Sequence, residues 1–273
     1  MKEFRFPPHR IFNLDETGTS TVQSPSKVLS QKGVKQLGFI TSAERGTLVT
    51  MCNCVSATGQ ALPPVYIFPR VNFKGFMLNG APAGSLGLAA RSGWMTNELF
   101  IQTLQHFSVH IRPTKDDPVL LLLDNHSTHC TIEVIRYAQE NGIVIITFPP
   151  HCSHKLQPLD VGVYGPFKRS FNDECNAWMV SSCNSRKTIS IYEIAALTKK
   201  AFHKAIVPGN ITSEFRACGL FPFDRNIFCD NDFVADALAA ATSSKPYGEG
   251  LPALPSVEAQ ADTSRKVGEP PRF

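Results

Sequence analysis

The run Pro118-Val-Leu-Leu-Leu-Leu-Asp124 constrains the fold more than any other stretch of the 273 residues. Five consecutive apolar residues offer no face to water, so a strand made of them is covered on both sides. A second run, Ile143-Val-Ile-Ile-Thr-Phe148, follows it. Between the two, Thr131–Asn141 reads as a short helix stopped by Gly142. Strand, helix, strand predicts a parallel pair with a right-handed crossover. Both runs fall far short of the roughly 20 apolar residues of a membrane-spanning helix. The first residues lack the apolar core of a signal peptide, and no membrane partner is expected.

Upstream, the pattern changes to short alternating runs. Arg10-Ile-Phe-Asn-Leu-Asp15 alternates at period two and is expected to end in the turn chemistry of Glu16-Thr-Gly18. Val34–Ser42 and Leu48–Ser56 read as strands joined by a turn at Ala43–Gly46. Val65–Phe68 reads as a further strand, placed at a sheet edge by Pro63 and Pro64. The Gly-rich stretch 70–95 reads as a surface loop. Thr96 is a candidate N-cap for a helix carrying Phe100, Leu104, Phe107 and Ile111 on one face and ended by Pro113. Later helices are expected from Asp160 to Met179, after the capping box Ser190-Ile-Tyr-Glu193, and from Asn210 or Thr212. Antiparallel strands first and parallel strands after, flanked by helices, define an α/β mixed sheet of the ribonuclease H-like kind. The folded domain is expected over 1–238. Residues 239–273, rich in Ala, Ser, Gly and Pro, are expected to be a disordered tail.

Three aspartates stand where this layout concentrates chemistry. Asp15 and Asp124 follow strands, and Asp160 opens a helix. In open α/β sheets, ligands gather at the carboxyl ends of strands. Three ionised carboxylates in one place repel, and a hard divalent cation such as Mg²⁺ or Mn²⁺ removes that cost. Neutralising Asp124 is accordingly expected to leave the metal-free chain at least as stable. Two such ions about 3.5–4 Å apart clamp an in-line phosphoryl displacement. Taken singly, each aspartate is equally at home as a turn or cap residue. Glu16 is expected to point to the sheet face opposite Asp15 in a structural role. Lys155, Lys168 and Arg169 surround the third acid and are candidates for phosphate contacts, against the plainer reading of a solvated helix face. The net charge of +4 suits such contacts without making the chain a strongly basic binder. The eight cysteines include no Cys-x-x-Cys pair. Buried or free thiols are therefore preferred to a zinc module built on Cys52, Cys54, His151, Cys152 and His154.

The segments around these acids resemble the endonuclease domain of the DDE superfamily, as found in pogo, Tigger and jerky-type transposases. Asn13-Leu-Asp-Glu-Thr-Gly18 is similar to the first-acid motif and Leu122-Leu-Asp-Asn-His-Ser-Thr-His129 to the second. Pro149-Pro-His-Cys-Ser-His-Lys-Leu-Gln-Pro-Leu-Asp160-Val-Gly-Val-Tyr-Gly-Pro-Phe-Lys168 is similar to the third. Supporting similarities lie at Ala57–Pro64, Ser92–Phe100 and Arg216–Phe223, so the resemblance spans residues 8–228. It implies Mg²⁺- or Mn²⁺-dependent cutting and joining of DNA, with two ions held by Asp15, Asp124 and Asp160. It also implies a nuclear location and a homodimer able to act on two DNA ends. The alternative is a domesticated, non-catalytic DNA-binding or chromatin protein on the same fold. Members of this group carry helix-turn-helix readers ahead of the catalytic domain. Fourteen residues precede Asp15 and hold no such unit, so DNA binding by this chain is expected to be weak, salt-sensitive and largely independent of sequence.

Overall fold

The computed structural model describes residues 5–22, 46–184, 187–229 and 232. The strand expected at Val34–Ser42 and the tail expected over 239–273 lie outside them. Strands β1 (Ile11–Ser20), β2 (Leu48–Ser56), β3 (Val65–Pro69), β4 (Leu86–Ala90), β5 (Val119–Leu123) and β6 (Ile143–Thr147) form one sheet in the order β4-β3-β2-β1-β5-β6. β1 pairs antiparallel with β2 and parallel with β5, and β5 pairs parallel with β6. The mixed α/β sheet read from the sequence is the sheet observed.

Three details differ from the sequence reading. β1 does not stop at Asp15 but runs through Glu16-Thr-Gly18 to Ser20, paired with β2 along that whole length. Gly18 serves here as a strand residue: a Cβ on it would stand 2.7 Å from the Leu48 side chain, so its lack of one admits that leucine. β3 is interior, because a strand hidden in the Gly-rich stretch, β4, covers its outer side in parallel. That strand was masked by Gly87, where a Cβ would meet the Phe73 ring at 2.1 Å.

The helices are α1 (Asn97–Ile111), α2 (Ile132–Glu140), α3 (Ser153–Leu156), α4 (Tyr164–Val180), α5 (Ile191–Ala205) and α6 (Pro208–Ala217). Thr96 and Thr131 cap α1 and α2 through their side-chain oxygens, and Ser190 with Glu193 closes the expected capping box on α5. α6 begins at Pro208 rather than Asn210 or Thr212, since proline needs no N–H partner in a first helical turn. A π-helical turn, Leu159–Val163, leads into α4. Alternation along β1 feeds two cores. Phe12 and Leu14 pack with Phe100, Leu104, Phe107 and Val134 of α1 and α2. Ile11 belongs with Phe167, Phe171, Ile194 and Phe202 of α4 and α5 on the other face. Each such side chain contributes about 1.5–3 kcal/mol when fully buried.

Gly142 makes the turn from α2 into β6 at φ 72°, and a Cβ on it would sit 2.1 Å from the Thr114 carbonyl oxygen. Gly142→Ala is therefore expected to cost about 2 kcal/mol of stability, from the left-handed backbone and the displaced Thr114 together. Urea unfolding of the two proteins would measure this, and equal midpoints would contradict it.

Candidate active site

Asp15 sits mid-strand on β1 opposite Asn53 of β2 and is 6% exposed. Its period-two partners Ile11 and Asn13 face the α4 side, and so does Asp15. Asp124 is the residue after β5, on the strand adjacent to β1. Asp160 lies in the π-helical turn and opens on a cleft of about 470 Å³ lined by His151, Ser153 and His154.

The electrostatics tie the three acids together unequally. Burial lifts the Asp15 carboxyl well above the usual carboxylate range, and the charges of Asp160 and Glu16 lift it further. Partial burial raises Asp160, against the pull of Lys168, and the negative charge of Asp124 adds to the rise. One Asp15 oxygen, Oδ2, is fully buried without a hydrogen-bond partner. Asp124 behaves in the opposite way. Although burial works against its charge, the imidazole of His129 and the His126 backbone N–H hold its carboxyl below the ordinary value. His129 Nδ1 stands 2.7 Å from Asp124 Oδ1 and its Nε2 stands 3.4 Å from Glu16 Oε1.

His129 is buried against the Phe100 ring at 4.3 Å between centroids, and its two carboxylate partners raise its pKa to about 10 despite the cost of burial. In the sequence His129 stands out only as the last residue of the segment around the second acid. Its two-sided pairing depends on β1 continuing past Asp15, which turns Glu16 to the α1 face, so the expectation of a structural role for Glu16 agrees with its place. The expected stability gain from neutralising Asp124 is opposed here: its charge raises Asp160, but the same carboxyl is paired with His129.

Among the described residues, no group of three or more His, Cys, Asp or Glu side chains is placed to hold a metal ion. The donor set nonetheless suits a hard cation. It is all oxygen, the charge of Asp160 lifts the buried Asp15 carboxyl further, and one buried oxygen lacks a partner. Beneath it lies a polar layer. Tyr164 donates to the Asp15 backbone oxygen at 2.7 Å, and Asn53 donates to Tyr164 at 3.3 Å.

Of the basic candidates, Lys168 acts on Asp160 across the start of α4. Arg169 is exposed on the next position. Lys155 stands 3.7 Å from Asp232. Cys52 and Cys54 are buried among the apolar residues facing α1, with thiols pushed up by burial, as expected of core cysteines.

A mixed six-stranded sheet flanked by helices, with Asp15 on β1 and Asp124 just after the adjacent β5, defines an α/β class. Residues 45–215, well over half of the chain, match the family described as DDE superfamily endonuclease, and the chain belongs to that family. Over 184 residues it is 32% identical to the protein named MFS-type transporter clz9 of Cochliobolus lunatus, covering 66% of this chain and 19% of that one. Over 173 residues it is 28% identical to the Pogo transposable element with KRAB domain of Mus musculus, covering 62% of this chain and 28% of the other. The chain spans less than half the length of the curated relatives it matches. No helix among the described residues is long and apolar enough to cross a membrane. The crystal structure of the Mos1 strand transfer complex superposes with a TM-score of 0.52 at 13% identity, covering 77% of this chain and 52% of that one. This likeness establishes the ribonuclease H-like fold.

Proposed function

We propose that the chain is the catalytic domain of a DNA-cutting and strand-transferring transposase, dependent on a divalent metal. The observation that carries this reading is the Asp15–Asp160 pair with its orphaned buried oxygen, set within a DDE-family domain. Asp15, Asp124 and Asp160 would hold the metal, Mg²⁺ or Mn²⁺, as a pair of ions. Bound there, the ions supply an activated water or 3′-hydroxyl and stabilise the leaving oxygen. The chain's own residues do the positioning. The rigid β1 strand fixes Asp15. His129 holds Asp124 through its Oδ1. Lys168, drawn toward Asp160, and Arg169 beside it offer positive charge to DNA phosphates, with Lys155 at the other side of the turn. DNA is the partner, a homodimer would bring two DNA ends together, and the nucleus is the compartment in which such a substrate lies.

The test is nicking of supercoiled plasmid by the purified chain. We expect nicking with Mn²⁺ or Mg²⁺, none with chelator, and binding that weakens steeply as salt rises. A chain that binds plasmid but fails to nick it with either metal would instead support the domesticated, non-catalytic reading.

A further inference from the structure

Asn13 belongs to the first-acid segment, and no part in the chemistry has been assigned to it. Its side chain is fully buried. The amide nitrogen donates to the Leu122 carbonyl oxygen at 3.1 Å, and the amide oxygen accepts from the Leu159 N–H at 3.1 Å. Both partners sit next to an acid in sequence. Asn13 precedes Asp15 by two residues, Leu122 precedes Asp124 by two, and Leu159 precedes Asp160 by one. The place in the sheet matters equally. The backbone ladder joining β1 to β5 ends at the Asn13–Leu122 pair. Beyond it, no ladder bond ties Asp15 to the segment carrying Asp124, and the π-helical turn is not part of the sheet.

We propose that Asn13 is the positioning residue of the metal site: its amide bridges the three acid-bearing segments and sets the spacing of Asp15, Asp124 and Asp160. The proposal rests on the metal-dependent reading above. An amide is the side chain whose single end both donates and accepts at this length. A carboxylate at position 13 would put an oxygen against the Leu122 oxygen, and a leucine would make neither bond. Partners that orient metal ligands in this way are worth about 10- to 100-fold in metal affinity.

The experiment uses the 273-residue chain, with Mn²⁺ as the probe and the rise of the melting temperature with Mn²⁺ concentration as the readout. Asn13→Leu keeps the volume and removes both bonds. Phe68→Leu, a buried residue of β3 on a strand that carries none of the three acids, is the control for plain loss of stability. Asp15→Asn is the control for loss of a ligand. For Asn13→Leu we expect the Mn²⁺ concentration giving half of the thermal shift to rise at least tenfold, while Phe68→Leu melts lower with an unchanged midpoint. Should Asn13→Leu fail to fold, Asn13→Ser is measured instead. Its hydroxyl is too short to span both partners, and the same tenfold rise is expected. An unchanged midpoint in the folded Asn13 variant, beside a wild type that responds and an Asp15→Asn that does not, overturns the role of Asn13 alone. A wild type with no thermal response to Mn²⁺ overturns the metal reading and this proposal together.

Discussion

Asp15→Asn and Asp124→Asn should both abolish metal-dependent nicking, yet move the stability of the metal-free domain in opposite directions. The loss of nicking should reach about 1000-fold or more in each, because several kcal/mol of charge stabilisation in the transition state would go with a ligand. The stability effects follow from the environments. Asp15 is buried, repelled by Asp160 and Glu16, and has an unpartnered oxygen. Its carboxyl is raised above its unfolded value, so its own contribution to metal-free stability is most favourable below the unfolded pKa and is lost as pH rises through the folded pKa. Asparagine at position 15 removes that penalty, and the variant should melt at or above wild type at pH 8.

Asp124 is lowered, so its contribution is present above its unfolded value and lost only as pH falls through the folded pKa. Asparagine at position 124 leaves the buried His129 cation short of a partner and should cost about 1–3 kcal/mol at pH 8. Saturation with Mn²⁺ separates ligand from scaffold further. At about 100 times Kd it adds about 2.7 kcal/mol to wild type, or roughly 5–10 °C for a domain of this size, and little to either variant. Thermal melts with chelator and with Mn²⁺ decide the matter. An Asp15→Asn variant that is clearly destabilised and still responds to Mn²⁺ like wild type would make Asp15 a structural residue.

How much of this was legible beforehand depends on what kind of signal each element carries. Runs buried on both faces announce themselves, so β5, β6 and the crossover through α2 were readable, as were caps whose chemistry is local, at Thr96 and Ser190. β4 was not readable: Leu86-Gly-Leu-Ala-Ala90 is short and weakly patterned, and its glycine makes room for the Phe73 ring, which lies outside the strand. The end of β1 was misread because Gly18 looks like a turn residue until Leu48 is seen against it. The three acids are singled out in the sequence by the ends of the expected elements together with the family resemblance, although β1 runs past Asp15. Their unequal electrostatics are not, because those depend on His129 and Glu16, 113 residues apart in sequence. Pairwise contacts at such separation leave no periodic trace in a single sequence.

That same histidine gives the last expected result. His129→Phe should destabilise the metal-free domain by about 3 kcal/mol at pH 7, toward the low end of what breaking a buried ion pair costs, because Asp124 is 32% exposed and can rehydrate. Phenylalanine preserves a ring against Phe100, so the packing contact is kept while both nitrogens are lost. The sign of the pH dependence can be stated. The folded pKa of His129, about 10, lies above its unfolded value of 6.5, so its contribution is complete below pH 6.5 and lost as pH rises through about 10. Asp124, with a lowered pKa, sets the acid limit, its contribution fading as pH falls below its unfolded value of 3.8. Between these limits the wild type should exceed the variant, and the gap should narrow markedly by pH 10. Urea unfolding in chelator at pH 7 and pH 10 measures both quantities. A gap below about 1 kcal/mol that is the same at both pH values would reduce His129 to a core ring, and would remove with it the clamp on the Asp124 carboxyl.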